Sequence, residues 1–404
     1  MQGILEGIRV LESGNYLMGP LAAALLGDLG AEVIKIEEPG RGDRFREVVT
    51  DLGYPTALPG DRRVAVERLN RNKKSITLDL KKEAGRKIFY QLVGRSDVYI
   101  TNLLAKTVSR LSVDYNMLVQ HNPKLIYGMA SGWGTKGPDS HVPAHDLAGL
   151  AKSGLLIFSR EENIPSNVST FGLADEIGGI MLSYGVITAL LARERTGIGQ
   201  CVDISQLGSL ISLIGHSLWY HMMTHQLHTL VRSEATNPLW NYYRCKDNRC
   251  IVITAPQEKH WPLFCEALGL TGIVNDARFA TSEQRHLHHK ELISILDTTF
   301  VNKTGEEWRN LLQESDIPFS LAQGIDELQF DPQILENEYL MPFEHPVLGK
   351  VLLPGVGGNI KYSKTPASVR ECAPQLGQHT EEVLIDVLGY SWDEITKLRD
   401  EKVI

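Results

Sequence analysis

Short apolar segments alternate with helical patterns through the first half of this chain, and that alternation leaves few folds open to it. Strands are indicated by the segments "GIRVLE", "AEVIKIE", "KKSITLDL", "SDVYITNL", "KLIYGMAS" and "CVDIS". Helices are indicated between them, as in "PLAAALLGDLG", where Leu21, Leu25 and Leu29 share one face. Because the strands are apolar along their whole length, we expect a sheet that is covered on both faces. The pattern predicts an α/β fold with a mostly parallel, doubly wound sheet.

The character of the sequence changes near residue 225. There the stretch "RSEATNPLWNYYRCKDNRCIVITA" predicts a linker and a hairpin whose strands meet at Asp247-Asn248, and charged helical segments follow to about residue 330. We predict that residues 1–224 form the first part of a Rossmann-like large domain and that residues 225–330 form a smaller α+β domain. Residues 331–404, which end in two short helices, are expected to return to the large domain.

Composition narrows the class of protein. The 404 residues carry a formal net charge of −8, which argues against a nucleic-acid-binding protein. Five scattered cysteines are too few for a disulfide framework and favour a reducing, cytoplasmic setting. The N-terminal residues lack the pattern of a signal peptide. The uncharged run 204–231 contains several polar side chains and four histidines, so it predicts a buried helix and no membrane span.

Common cofactor and catalytic motifs are missing. No G-x-G-x-x-G follows the first strand, and there is no Walker P-loop, H-E-x-x-H or G-x-S-x-G. The sheet is therefore not expected to hold NAD or ATP in the usual way. His221, His225 and His228 share one helical face with a spacing that resembles a metal site, but no acidic partner accompanies them. We predict no bound metal.

Asp175 stands where an apolar run meets a long amphipathic helix that extends to Arg195. Asp is a favoured N-cap residue, because its carboxylate accepts the free N–H groups of the first helical turn. Local spacing therefore favours a cap. A catalytic role for the same carboxylate is the alternative, and spacing alone does not decide between them.

Two further groups of polar residues stand out. His145-Asp146 follows the glycine-rich loop "SGWGTKGP", where a ligand could approach the backbone closely. The stretch "RLNRNKKSI" contains the basic residues Arg68, Arg71, Lys73 and Lys74. A solvated edge is the default interpretation of such a run, and a phosphate site is the alternative.

Six segments taken in order resemble the class III coenzyme A transferase family, the CaiB/BaiF type. They are "LEGIRVLE…GP…LLGDLGAEVIKIEEPGRGD", "LNRNKKSITLDL", "KLIYGMASGWGTKGP", "HDLAGLAKSGLL", "ADEIGGIMLSYGVITALLARERTGIGQCVDIS" and "PQLGQHTEEVLIDVLGYS". The resemblance covers nearly the whole chain. It implies an interlocked homodimer whose active sites lie between the large domain of one subunit and the small domain of the other.

The resemblance also implies catalytic residues. Asp175 matches the nucleophile of the family, and His145 matches a second catalytic position. The Asp175 carboxylate would attack an acyl-CoA thioester, and a mixed anhydride and then an aspartyl-CoA thioester would follow. A helix N-terminus favours an ionised carboxylate, so we expect Asp175 to be both cap and nucleophile. Gly178 and Gly179 are expected to leave room for the substrate.

The expected CoA-binding positions also follow from the resemblance. They are Leu17, Met18, Leu69, Asn70, Arg71, Asn72, Lys73, Lys74, Asn102, Arg110 and Ser131, and the cations at 71, 73 and 74 are expected to face phosphates. Glu38 stands where some members have an arginine near the adenosine phosphate, and Arg41 or Arg44 is expected to replace it. CoA and acyl-CoA are substrates, with no permanently bound cofactor.

Alternative functions remain open. The family also contains α-methylacyl-CoA racemases, in which His145 and Asp175 would act as an acid–base pair. Gln257, which stands in the place of a supporting glutamate, and the stretch "NPLWNYYRCKDN" favour a transferase. The chain could also be a non-catalytic CoA-ester-binding subunit of a hetero-oligomer. A nucleotide-dependent oxidoreductase is opposed by the missing glycine motif. No mobile glycine-rich run occurs between residues 215 and 260, which leaves the acyl specificity open.

Overall fold

The computed structural model describes residues 3–51, 53–157, 172–226, 232–315 and 317–404. These described residues fall into two compact units. The first is drawn from Met1–Ser153, Ser169–Leu218 and Pro332–Ile404, and the second from Gly154–Val168 and Trp219–Asp331. The division of the chain into domains at residues 225 and 330 stays a prediction.

A six-stranded sheet organises the first unit, and all of its neighbouring strands are parallel. The strands are β1 (Arg9–Glu12), β2 (Glu32–Glu37), β3 (Lys73–Thr77), β4 (Val98–Thr101), β5 (Ile126–Ser131) and β6 (Gln200–Ser205). Their order across the sheet is β3-β2-β1-β4-β5-β6. This order, which reverses direction between β1 and β4, is that of a Rossmann fold. The predicted parallel α/β sheet is confirmed.

Helices cover both faces of this sheet. Those of the first unit are α1 (Met18–Asp28), α2 (Arg44–Glu47), α3 (Val64–Leu69), α4 (Glu83–Val93), α5 (Ala105–Leu111), α6 (Tyr115–His121), α7 (Asp146–Ser153), α8 (Leu173–Thr196) and α9 (Gln206–Leu213). The helix α10 (Gly215–Thr224) follows α9. Later in the chain come α15 (Pro332–Glu336), α16 (Thr380–Asp386) and α17 (Trp392–Asp400), with the antiparallel pair β10 (Leu340–His345) and β11 (Gly349–Pro354).

The two faces of the sheet belong to different apolar clusters, as the period of two in a strand requires. On one face Leu11 and Tyr99 pack with Phe89 of α4, and Val383 and Ile395 of the two C-terminal helices join them. On the other face, side chains of the same strands pack against α1 and α8; these are Val10, Val33, Val98 and Ile100. Both faces are thus buried, which explains why the strands are apolar throughout.

The second unit is built on a three-stranded antiparallel sheet. Its strands are β7 (Trp240–Arg244), β8 (Cys250–Thr254) and β9 (Phe319–Leu321), in that order across the sheet. The predicted hairpin at Asp247-Asn248 is confirmed, and Asn248 takes the positive φ (65°) that such a turn needs. The helices are α11 (His260–Leu268), α12 (Ser282–Leu287), α13 (His289–Phe300) and α14 (Gly305–Glu314). Aromatic side chains form the core, among them Tyr243, Phe264, Phe300 and Trp308.

Among the described residues, only α8 is long and apolar enough to pass for a membrane span by length and composition. Its residues Leu182, Val186 and Leu190 are buried in the cluster that α1 and the sheet share. The helix therefore packs as a core element of the first unit.

Candidate active site

The carboxyl ends of β1 and β4 mark the point where the strand order reverses, which is where ligands bind in open α/β sheets. The chain leaves β1 through residues 13–18, and Asn102 directly follows β4. The amide of Asn15 donates to Asn102 Oδ1 at 2.9 Å, and Asn102 Nδ2 donates to the carbonyl of Asn15 at 2.7 Å. Residues 13–18 are therefore fastened to the neighbouring strand end.

A fully buried group of charged side chains holds residues 13–18 in place. The Glu12 carboxylate receives Lys35 Nζ at 2.6 Å, Lys73 Nζ at 2.8 Å and the amide of Gly14 at 3.0 Å. Lys35 Nζ also donates to the carbonyl of Gly14 at 3.0 Å and pairs with Asp43 at 2.9 Å. Burial alone would raise the pKa of Glu12, but its two lysine partners hold that pKa below the ordinary value. The network fixes the turn rigidly.

A cavity of about 210 Å³ opens beside this turn. Ser13, Gly14 and Asn15 form one wall. Apolar side chains form the other walls. They come from the ends of β2 and β3, from α5 and from the loop before α5, and are Ile36, Leu78, Leu80, Leu103 and Leu111. Three cations reach the cavity, namely Arg44, Lys81 and Arg110. The lining also contains four carboxylates, those of Glu37, Glu38, Asp43 and Asp79, and Lys81 pairs with Glu38. A mixed apolar and charged cavity with cations at its edge suits a planar group that carries phosphates.

Asp175 lies in the first turn of α8, as the third residue of that helix. The cap is provided by another residue, since Asp146 Oδ1 accepts the amides of Ala174 at 2.6 Å and Asp175 at 3.3 Å. The expectation that Asp175 caps the helix is therefore wrong. The helix begins two residues earlier than Asp175, at Leu173, and Asp146, the first residue of α7, supplies the acceptor. The carboxylate of Asp175 takes no part in capping.

The Asp175 carboxylate is half-buried and has one side-chain hydrogen bond among the described residues, from Gln206 Nε2 to Oδ1 at 2.8 Å. The pKa of Asp175 is raised to about 6, chiefly by burial and also by the negative charges of Asp146 and Glu176, although the hydrogen bond from Gln206 and the charge of His145 act to lower it. The carboxylate is thus more basic than an ordinary aspartate and still mostly ionised at neutral pH.

His145 is close enough to act electrostatically on this carboxylate. It is exposed, directly precedes α7, and packs edge-on against the ring of Tyr16 with centroids 5.6 Å apart. Its charge is close enough to lower the pKa of Asp175. The structure therefore brings together the two residues that the resemblance implies for catalysis, although 30 positions separate them in the sequence.

Residues 13–18 also connect the cavity to Asp175. Ser13, Gly14 and Asn15 line the cavity, Tyr16 contacts His145, and Met18 lies under the first turns of α8. A Cβ at Gly178 would come within 2.6 Å of Met18 Cε, and one at Gly179 within 2.9 Å of the carbonyl of Met18. The two glycines therefore allow α1 to pack closely on α8. The expectation that they leave room for the substrate is wrong.

The basic run does not offer its charges to a ligand as expected. The guanidinium of Arg71 is buried on Asp28, with bonds of 3.0 and 2.6 Å, and Lys73 is buried on Glu12. For Arg71 and Lys73 the expectation of phosphate contacts is wrong, because their charged groups are already paired away from solvent. Lys74, one-third exposed, pairs with Glu32 and Glu382.

The neighbouring positions of that run are also engaged internally. Leu69 packs with Leu17 in an apolar cluster, and Asn70 Oδ1 accepts from Lys73 Nζ at 3.2 Å. Asn72 donates to Asp28 and to the carbonyl of Ser368, and its Oδ1 accepts the amide of Arg370. These contacts bind the C-terminal return of the chain to α1. They give the run a structural role.

Of the remaining expected positions, Asn102 and Arg110 lie at or beside the cavity. The guanidinium of Arg110 is exposed and has no ion pair among the described residues. Ser131 ends β5, where its Oγ accepts the amide of Gly134 at 3.0 Å. Gln206 and Lys81 are absent from the set that the sequence predicts. Gln206 directly follows β6, and a polar residue at the carboxyl end of a parallel strand is the signal that points to it.

Two of the three histidines of the helical group, His221 and His225, lie within the described residues. His221 Nδ1 lies 3.1 Å from the carbonyl of Gln226, and His228 is outside the described residues. In the part of the chain that the structure describes, no three His, Cys, Asp or Glu side chains are grouped to hold a metal ion.

Known proteins resemble this chain over nearly its whole length. The sequence profile of CoA-transferase family III matches residues 5–380. A cinnamoyl-CoA:phenyllactate CoA-transferase of Clostridium sporogenes is 32% identical over 99% of this chain and 97% of its own length. A succinyl-CoA:glutarate CoA-transferase of Homo sapiens is 30% identical over 99% of this chain and 90% of its own. The crystal structure of Rv3272 from Mycobacterium tuberculosis superposes with a TM-score of 0.81 at 29% identity, covering 94% of this chain and 99% of that one.

Proposed function

The chain belongs to CoA-transferase family III, and we propose that it moves coenzyme A from an acyl-CoA to a free carboxylic acid through covalent intermediates on Asp175. One observation carries the mechanism. A half-buried carboxylate with a raised pKa lies at the start of α8, the helix against which Met18 packs, and the same segment 13–18 lines a cavity that three cations reach. A carboxylate in that setting is a nucleophile within reach of a nucleotide thioester.

Four exchanges of bonds complete the reaction without any other reagent. Asp175 attacks the thioester carbonyl, the C–S bond breaks, and the CoA thiolate leaves an acyl-aspartyl anhydride. The thiolate then attacks Cγ of Asp175, which releases the donor acid and leaves an aspartyl-CoA thioester. The acceptor carboxylate attacks this Cγ and expels the thiolate, so a new anhydride forms. Attack of the thiolate on the acceptor acyl group restores the Asp175 carboxylate.

The electrostatics of Asp175 support this role. With a pKa of about 6, roughly nine in ten molecules are ionised at pH 7. The raised pKa also makes the carboxylate a better nucleophile than an exposed aspartate, whose lower basicity lowers its reactivity. The N-terminal end of α8 partly compensates the negative charge. A carboxylate of this kind can both attack a thioester and leave an anhydride.

The nucleotide of CoA is assigned to the cavity at the carboxyl ends of β1, β2, β3 and β4. Arg44, Lys81 and Arg110 line it; Lys81 pairs with Glu38 and Arg44 with Glu47, while Arg110 has no ion pair among the described residues. Both Arg41 and Arg44 pair with Glu47, but only Arg44 lines the cavity, so Arg44 is the residue that replaces the missing arginine at position 38. From the cavity the pantetheine arm would follow residues 13–18 to Asp175.

A homodimer is part of the proposal. Large apolar side chains on α8 and α9 are exposed in the single chain, which supports a partner surface on these helices. They are Ile180, Tyr184, Leu191, Ile211 and Leu213.

The five cysteines are all free thiols, which supports a reducing, cytoplasmic location.

An α-methylacyl-CoA racemase is the second candidate, because His145 is close enough to act electrostatically on Asp175 and the two could exchange the α-proton of a thioester. The racemase would form no covalent enzyme intermediate. It would exchange the α-hydrogen of a 2-methylacyl-CoA with deuterium from the solvent. These two properties separate the candidates experimentally.

The decisive experiment traps the intermediate. The protein is exposed briefly to a panel of acyl-CoA thioesters, hydroxylamine is added, and peptides are analysed by mass spectrometry. We expect a hydroxamate on Asp175 in the wild type, and a loss of turnover of at least about 1,000-fold in Asp175→Ala. Glu194→Gln, which removes an exposed carboxylate from the other end of α8, should keep full activity.

Two outcomes would contradict the proposal. Substantial transfer by Asp175→Ala would exclude the nucleophilic role. An unmodified Asp175 with every donor would point to the racemase, if deuterium enters the substrate, and to a non-catalytic subunit if it does not.

A further inference from the structure

Gln206 occupies an unusual position for a buried polar residue. It is the first residue of α9, only 4% exposed, and its Nε2 donates to Asp175 Oδ1 at 2.8 Å. Its Oε1 is buried and has no hydrogen-bond partner among the described residues. A buried carbonyl oxygen without a partner is costly, so a purely structural glutamine would be expected to satisfy both ends of its amide.

The orientation of this amide is determined by its neighbour. A carboxylate only accepts hydrogen bonds, so the NH₂ group has to face Asp175. The side chain is also confined on two sides by backbone. A Cβ built at Gly149 would lie 3.3 Å from Gln206 Oε1, and one built at Gly132 would lie 3.6 Å from it. The donor is therefore held in place before any substrate binds.

We propose that Gln206 is a catalytic residue, whose amide stabilises the oxyanion that forms on the Asp175 carboxyl group itself. This rests on the proposed function of Asp175 as the nucleophile. Since Gln206 holds Oδ1, and Oδ2 accepts no hydrogen bond from the described residues, Oδ2 is the oxygen that attacks the thioester. Oδ1 then becomes the carbonyl oxygen of the anhydride and of the aspartyl-CoA thioester.

The two middle steps of the reaction place negative charge on that oxygen. When the CoA thiolate attacks Cγ of the anhydride, the electrons of the Cγ–Oδ1 double bond move to Oδ1. They return when the bond from Cγ to the acyloxy oxygen breaks and the donor acid leaves. Attack of the acceptor carboxylate on the thioester charges Oδ1 again, until the Cγ–S bond breaks. A donor already 2.8 Å from Oδ1 stabilises both tetrahedral states.

The first and last steps put their oxyanion on the acyl group, away from Gln206. Loss of the donor should therefore slow formation of aspartyl-CoA far more than formation of the anhydride. Loss of one donor of this type lowers a rate by about 100- to 1,000-fold. A residue that only holds the fold together would slow all steps alike. This difference is the readout.

The experiment compares two rates in Gln206→Met, which keeps the length of the side chain and removes the donor. Single-turnover peptide mass spectrometry measures the appearance of CoA on Asp175. Incorporation of labelled free CoA into the donor acyl-CoA, with no acceptor acid present, measures attack on the acyl carbonyl. We expect the first rate to fall about 100- to 1,000-fold and the second by less than about tenfold.

Two further variants test whether the effect is specific to the amide of Gln206. Ser209→Ala removes another buried polar side chain of α9, whose Oγ donates to the carbonyl of Ser205 at 2.8 Å, and both its rates should match the wild type. Gln206→Asn keeps an amide but draws it back by one methylene, so it should change the ratio of rates in the same direction as Gln206→Met. It serves as the test if Gln206→Met does not fold.

The outcomes are separable. An equal fall of both rates, or no fall of either, in the Gln206 variants would overturn the role assigned to Gln206 while Asp175 remains the nucleophile. Absence of any CoA adduct on Asp175 in the wild type would overturn the proposed function first, and the role of Gln206 with it.

Discussion

Replacement of Arg71 by methionine separates a structural residue from a ligand-binding one. Arg71 belongs to the basic run that the sequence associates with phosphates, yet its side chain is 1% exposed and holds Asp28 with two hydrogen bonds of 3.0 and 2.6 Å. Asp28 in turn receives the amide of Gly357 at 2.8 Å. We therefore expect Arg71→Met to destabilise the protein and to leave acyl-CoA binding unchanged.

The size of the effect follows from what remains around Asp28. Without Arg71 the carboxylate keeps only the amides of Asn72 and Gly357, and it stays buried. Removal of one partner of a buried ion pair typically costs about 3–5 kcal/mol in the free energy of unfolding. Two neutral donors remain, so we expect a loss near the lower end of that range, about 3 kcal/mol.

The loss should also depend on pH. Burial raises the pKa of Asp28, and the Arg71 guanidinium opposes that rise, so Asp28 in the variant takes up a proton at a higher pH than in the wild type. A carboxyl group whose pKa is higher in the folded than in the unfolded state stabilises the fold at low pH, and this stabilisation is lost as the pH rises through the folded-state pKa. The stability deficit of Arg71→Met should therefore shrink between pH 7.5 and pH 5, by at most about 1.4 kcal/mol per pH unit.

Hydrogen exchange and binding measured on the same samples test this reasoning. Peptides from α1 and from residues 355–372 should exchange faster in Arg71→Met, while the Kd for acyl-CoA changes less than about twofold. Arg110→Met is the matched comparison, since its exposed guanidinium reaches the cavity without an ion pair among the described residues. It should weaken binding about tenfold or more with unchanged exchange. Weak binding and normal exchange in Arg71→Met would refute the structural role.

Two other predictions concern the site itself. The kcat/KM should rise with pH through about 6 as Asp175 ionises. Asp146→Asn keeps an acceptor for the helix cap but removes a negative charge that raises the pKa of Asp175, so this rise should move to lower pH. An unchanged pH profile would contradict the electrostatic account. Gly179→Ala should lower the Tm, because the new Cβ would lie 2.9 Å from the carbonyl of Met18 and push α1 away from α8. This separation costs about 1–3 kcal/mol, which outweighs the gain in helix propensity of about 1 kcal/mol. An increased Tm would show that the two helices can move apart freely.

Much of the fold is predictable because its determinants are local. Each strand of the parallel sheet is a continuous apolar segment, and each helix beside it shows its own period, so the alternation specifies an α/β sheet without any knowledge of contacts. The hairpin at Asp247-Asn248 is another local signal, because its turn residues tolerate positive φ.

The resemblance of the sequence to a known family singled out Asp175 and His145, and their roles stay a proposal. What the sequence by itself determined was the kind of layered structure and the residues that matched a pattern. Only the tertiary structure decided which charges are available to a ligand. Arg71 and Lys73 read as free cations in the sequence, but their ion pairs come from Asp28 and Glu12, which lie more than 40 positions away.

The same limit explains Asp175 and Gln206. A helix cap is usually sought within a few residues of the helix start, but the acceptor for α8 is Asp146, the first residue of the separate helix α7. The hydrogen bond from Gln206 joins residues on two helices, 31 positions apart, which meet only because β6 directs α9 toward the start of α8. Burial, pairing and hydrogen bonding between distant segments are properties of the packed chain, and these decide the chemistry that each side chain can perform.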